Sequence, residues 1–211
     1  MKVTFRGRLT TIGICAGFLT LVIGVNAAAQ SGGSGKVRTS IAKVVTFGGN
    51  IVIPQAGASL SKNNEGVFAE ISTSSMAPGE VATLWWVLFN NSSQCATPGC
   101  SPPDLNNPSV NGSLQFGGGA IVGANGRADF GGFLELNDNT GFYLLPQFPN
   151  MPNPAPGLVN TKDAEIHLVI RKHGPASADP GTLEQQLTTF TGGCSVVPNP
   201  CANIQAAVFK P

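Results

Sequence analysis

The stretch from Ala82 to Asn90, ATLWWVLFN, decides how the rest of the chain must be built. Read as a strand, it puts Leu84, Trp86 and Leu88 on one face and Trp85, Val87 and Phe89 on the other, because successive side chains alternate. Both faces are apolar. Such a strand has to be covered on both sides, so it belongs at the centre of a sheet inside a larger β-structure.

Working outward, β-type runs recur at Ile41 to Phe47 (IAKVVTF), Gly66 to Ser74 (GVFAEISTS) and Ala164 to Lys172 (AEIHLVIRK), with NIQAAVFK near the end of the chain. Two further runs, AIVG and RADFGGFLEL, flank Ala124-Asn125-Gly126. Clusters of Gly, Pro and Asn separate them, in a chain with 27 Gly, 16 Pro and only 11% charged residues. This pattern predicts an all-β fold: a single Greek-key-like β-sandwich over residues 41–211, with long loops, one short helix and two local disulfides. Asn125-Gly126 predicts a two-residue type I′ turn that sets Ile121 opposite Phe130. The helix is expected at Thr182 to Thr189, after Pro180-Gly181. The long loops are Asn91 to Asn111 and the Pro-rich Pro146 to Gly157, and loops of that length are often functional or mobile.

The N-terminus carries Lys2, Arg6 and Arg8, an apolar run from Leu9 to Val25, and Ala27-Ala28-Ala29 before Gln30. That is the three-part pattern of a secretory signal peptide over residues 1–29. Gly13, Gly17 and the small-residue cleavage site argue against a membrane anchor, so no transmembrane segment is expected after cleavage. Residues 30–40, QSGGSGKVRTS, read as a flexible Gly/Ser tether. The expected location is secreted, periplasmic or on the cell surface. Removing three cations leaves 9 Lys+Arg against 11 Asp+Glu, a mature net charge of −2, which offers nothing to nucleic acid. Cys15 leaves with the leader. The other cysteines form two close pairs, Cys95 with Cys100 and Cys194 with Cys201, and export favours disulfides within each pair. Each would stabilise by about 2 to 2.5 kcal/mol, so their main work is shaping loops. Neither pair has the C-x-x-C spacing of a zinc site.

The mature chain has two histidines, His167 and His173. On a strand whose Ala164, Ile166, Leu168 and Ile170 face the core, Glu165, His167, Val169, Arg171 and His173 share the other face. Six residues separate the imidazoles by about 20 Å, too far for one metal. Gly174-Pro175 predicts a strand end that leaves His173 at the rim. Trp85 and Trp86 point oppositely, and at most one can meet a ligand. The candidate binding residues are therefore Glu165, His167, Arg171, His173 and Trp85; no catalytic, metal-binding or cofactor-binding residue is assigned. There is no G-x-S-x-G elbow. The run Gly117 to Gly126 lacks a following Lys-Ser/Thr and reads as a flat or bulged strand. Glu135 and Asp138 read as solvated carboxylates at a strand end. The sequons at Asn90, Asn91 and Asn111 are read as unused, on the expectation of a bacterial source.

Through TLWWVLFNN with its following cysteine pair, DAEIHLVIRKHGPA, and TFTGGC…CANIQAAVF, the chain resembles a group of secreted bacterial proteins that share those blocks and have no established activity. The segment IHLVIRKHGPA also resembles part of the chordin-type domain, a sandwich similar to that of copper-zinc superoxide dismutases. That resemblance implies a fold and no dismutase activity, because the copper-zinc set needs several more histidines than His167 and His173. The leading expectation is a non-enzymatic envelope or extracellular protein that binds or assembles with a protein or glycan partner. The competing one is a metal-binding protein or hydrolase that uses Glu165, His167, Arg171 and His173.

Overall fold

The described residues form nine strands, β1 (Arg38–Ala42), β2 (Val45–Thr46), β3 (Gly57–Lys62), β4 (Gly66–Ser72), β5 (Glu80–Phe89), β6 (Gly112–Ile121), β7 (Asp129–Glu135), β8 (Glu165–Pro175) and β9 (Ala202–Phe209), with one α-helix, α1 (Pro180–Thr188), and three short 3-10 turns in the 91–111 loop. The computed structural model describes residues 37–195, 198 and 200–211. The leader expected over 1–29 and residues 30–36 of the tether lie outside the described residues. Strand β1 begins at Arg38, inside the stretch read as tether, so the sandwich starts before Ile41.

Two antiparallel sheets form the sandwich, one in the order β1-β3-β4-β7 and the other β2-β9-β8-β5-β6. Strands β4 to β7 make a Greek-key return: β5 and β6 pair in the second sheet and β7 comes back beside β4. Leu60, Ala69 and Ile71 from the first sheet meet Leu84, Trp86, Leu88, Ile166, Leu168 and Ile170 from the second in the sandwich core.

The other face of β5 is just as buried. Trp85, Val87 and Phe89 form a second apolar cluster with Val169 of β8, Leu105 and Val110 from the 91–111 loop, and Leu145 and Met151 from the segment before β8. The long loops are thus a third layer laid over the outer face of the second sheet. Asn90, at the exit of β5, ties that layer down. Its amide donates to the carbonyls of Asn111 (2.8 Å) and Gly157 (2.9 Å), and its Oδ1 accepts from the Val159 amide (2.8 Å).

Both disulfides form, Cys95–Cys100 and Cys194–Cys201, each with a Cα–Cα distance of 5.3 Å. The helix forms where it was expected, and the Asp179 carboxylate caps it by accepting from the Thr182 amide at 2.7 Å. The glycine run of β6 is a bulged strand: Leu84 pairs with Gly118 and Trp85 with Phe116, leaving Gly117 as the extra residue. A Cβ on Gly119 would run into the Leu187 carbonyl, so glycine is what lets α1 lie against β6.

Two readings fail. The Asn125-Gly126 turn does not join a hairpin that sets Ile121 opposite Phe130. Ile121 pairs with Val81, and Phe130 pairs with Ile71 in the other sheet. Of the two turn residues only Gly126 has positive φ (+72°). The arms meet once, Gly123 amide to Arg127 carbonyl at 2.9 Å, before Val122 bonds to Glu80 and Ala128 to Thr73. The turn is a corner between sheets. Strand β3 was not anticipated, since GASLSK carries only Ala58 and Leu60 as apolar anchors.

Asn90→Ala should cost about 3 kcal/mol, roughly 1 kcal/mol for each buried hydrogen bond lost. Urea denaturation measures it, and a change under about 0.5 kcal/mol, the size of an ordinary surface substitution, would show that the loop layer is held by other means.

Candidate functional site

The outward face of β8 carries Glu165, His167, Val169, Arg171 and His173, as the alternation required, and these lie across from Phe89, Val87, Trp85 and Thr83 of β5. Around them stands an aromatic shell. Trp85 makes edge contacts with Phe116, Tyr143 and Phe190, with ring centroids 5.0–5.8 Å apart, and Tyr143 stacks on Phe190 at 5.1 Å. The loop layer does not close over this face completely. It leaves a cleft of about 230 Å³ whose lining includes Trp85, Phe89, Phe148, Phe190 and, as polar groups, His167, Gln147 and Asn203.

Glu165 and His167 form a pair at one end. The Glu165 side chain is 4% exposed, and its Oε1 accepts from His167 Nε2 at 2.7 Å and from the Cys100 amide at 2.9 Å. Burial alone would raise the carboxyl's pKa. The His167 bond and charge, the Cys100 amide and the more distant Lys210 outweigh that and hold it below the usual glutamate value. The Cys95–Cys100 bridge therefore shapes a loop that supplies a donor to the site. The carboxylate accepts, so Nε2 is the ring nitrogen that carries a proton in this contact, and Nδ1 takes no part in it. His167 also packs on Phe89, with centroids 4.9 Å apart, and retains 12% side-chain exposure.

Arg171 does structural work at the other end. Its Cζ sits 4.0 Å from the centre of the Phe190 ring, Nε donates to the Phe190 carbonyl at 2.7 Å, and Nη1 donates to Asn203 Oδ1 at 3.1 Å. It pins the segment that follows α1, and with it one wall of the cleft.

His173 is not at a rim, as the Gly174-Pro175 signal had suggested. Strand β8 continues through Gly174 to Pro175, which pairs with Glu80, and His173 is fully buried. A chain of hydrogen bonds fixes it: Trp85 Nε1–H donates to Thr83 Oγ1, Thr83 donates to His173 Nε2, and His173 Nδ1–H donates to the Gly192 carbonyl, each at 2.8 Å. The imidazole is neutral in this arrangement. Burial lowers its pKa from 6.5, the Gly192 bond opposes that, and the Arg171 charge lowers it further.

The four polar candidates therefore do not converge. Glu165 and His167 act together, while Arg171 and His173 are committed elsewhere. Trp85 lines the cleft, and Trp86 is buried in the sandwich core. His173 Nδ1 lies within 4.8 Å of the sulfurs of Cys194 and Cys201, but those sulfurs are joined to each other and offer no thiolate. Thr83, Gln147, Asn203 and Phe190 were missed by the sequence reading. Thr83 alone had a signal, as the only polar residue inside the apolar β5 run. No family model matches the chain, and no curated protein matches it.

Stability should fall as pH drops below 6.5. An unfolded His173 takes up a proton there and the folded one resists, so the folded state loses ground by at most about 1.4 kcal/mol per pH unit down to its own lowered pKa. Denaturant titrations across the range just below pH 6.5 should show this slope in the wild type and a shallower one in His173→Gln. Equal slopes would remove His173 as the cause.

Proposed function

We propose that the chain is an exported binding protein that takes a small apolar or aromatic ligand in the cleft between the outer face of β5 and β8 and the loop layer. The observation that carries this reading is the cleft itself, aromatic-walled with a few polar groups at its edge, which is the common composition of a small-molecule site. At about 230 Å³ it is smaller than a drug-sized pocket of roughly 300–1,000 Å³. It suits a compact aromatic molecule or one aromatic side chain of a protein partner. Rigid walls support binding, because Trp85 is held by Thr83 and Phe190 by Arg171, so little ordering is needed when a ligand enters. The two formed disulfides fit an oxidising compartment, and no helix among the described residues is long and apolar enough to cross a membrane; both are compatible with a place outside the cytoplasm.

A second reading rests on one observation, the Glu165–His167 pair. A carboxylate that orients a cleft-lining imidazole is the arrangement of a general base, which could activate water against an ester. The pair supplies two donors to a metal, short of a complete set.

Calorimetric titration of the mature domain with 1-naphthol tests the first reading. Saturable binding is expected, weakened at least tenfold by Val87→Phe, which fills the cleft, provided the circular dichroism is unchanged. No binding, or equal binding by that variant, would sink it. Turnover of p-nitrophenyl acetate by the wild type, lost in His167→Ala, would move the assignment to the hydrolase.

A further inference from the structure

Two cations at one end of the sandwich, Arg38 and Lys62, take part in no ion pair among the described residues. Register sets Arg38 of β1 directly opposite Lys62 of β3. The same alternation sets Ser40 opposite Leu60 and Ala42 opposite Ala58, and Leu60 and Ala58 are core residues, so Arg38 and Lys62 continue the core-facing side of the sheet to its end. Lys162, from the turn before β8, and Lys210, just after β9, complete a groove of about 460 Å³. Ser40, Asn63, Asn64 and Thr161 supply its hydroxyls and amides, Pro211 closes its lining, and among the described residues no Asp or Glu side chain lines it.

The distribution of charge is uneven. The described residues hold eight Lys and Arg (38, 43, 62, 127, 162, 171, 172 and 210), and four of them line this groove. The ion pairs among the described residues are Glu165 with His167 and Glu80 with Lys172, and none of the four takes part. Like charges directly opposite on neighbouring strands are destabilising. An inward charge can guard an edge strand against pairing with another chain, which would account for Arg38 on β1. It does not account for Lys62, because β3 lies between β1 and β4. Lys62 is also partly buried, and that burial disfavours its charged form.

We propose that this groove binds a ligand with two or more closely spaced carboxylate, sulfate or phosphate groups, with Arg38 and Lys62 meeting its anionic groups and Lys162 and Lys210 flanking them. Such a ligand relieves the Arg38–Lys62 repulsion and forms charge-assisted hydrogen bonds. The groove is lined by none of the residues of the aromatic cleft, so the two sites stand or fall separately.

The test is calorimetry of the mature domain with three probes: inorganic tripolyphosphate, trigalacturonate and the neutral maltotriose. At least one anion is expected to bind saturably, more weakly as salt rises. Whichever binds identifies the source, a free phosphate chain or sugar-borne carboxylates. The double variant Arg38→Gln/Lys62→Gln should bind it about a hundredfold more weakly, tenfold for each charge-assisted bond lost. Without ligand, the variant's Tm should equal or exceed that of the wild type, and its naphthol titration should match it. Neither anion binding better than maltotriose would overturn the proposal, as would a double variant that binds as tightly as the wild type. A lower Tm in the ligand-free variant would also count against it, since it would make the pair a structural feature of the sandwich.

Discussion

Strand β5 cannot leave either face in water, and most of the architecture follows from that. Burying a side chain the size of Trp85 or Phe89 is worth roughly 4 to 6 kcal/mol as an upper bound, and a whole domain has a margin of only about 5–15 kcal/mol. The first sheet covers Leu84, Trp86 and Leu88. Trp85, Val87 and Phe89 need a cover of their own, and the long loops before β6 and before β8 provide it. Asn90 and the Cys95–Cys100 loop pin that cover at the same end of β5, through hydrogen bonds to the loops and to Glu165. Because loops tile a sheet less completely than another sheet does, the outer layer leaves a cleft.

Polar groups beneath that layer are handled in two ways. Glu165 stays charged, with its oxygen shared by His167 and the Cys100 amide. His173 stays neutral, as one link in a chain that runs from the Trp85 indole to the Gly192 carbonyl. Both solutions satisfy buried hydrogen-bonding capacity that would otherwise cost several kcal/mol. The difference decides what each residue can do. Both ring nitrogens of His173 are occupied, whereas His167 keeps one nitrogen free of that network and lines the cleft. Two residues six apart on one strand, of identical type, thus stand in different settings, one buried and bonded at both ring nitrogens and the other bordering the cleft.

Alternation along β5 and β8 was legible from residues 82–90 and 164–172 because period-two patterning depends only on the local chain. The cysteine pairing was legible for the same reason: Cys95 and Cys100 can meet without long-range order, as can Cys194 and Cys201. What depended on distant contacts was not. The Asn125-Gly126 signal correctly marks a turn, but which sheet each arm joins is set by β4 and β5, far away in sequence. Gly174-Pro175 marks a break in local preference, yet pairing with Glu80 carries β8 through it, so His173 ends up buried. GASLSK lacked the apolar density of a strand, and β3 exists because β1 and β4 flank it. That the outward face of β8 is covered depended on loops whose packing no local pattern encodes.

The cleft is tested most directly by the positions of the two indole N–H signals in a 1H–15N correlation spectrum during titration with a small aromatic probe. Trp85 lines the cleft, and its neighbour Trp86 faces the sandwich core. The Trp85 signal is expected to move with ligand while the Trp86 signal stays. If both stay, or Trp86 moves and Trp85 does not, the outer cleft is not the site.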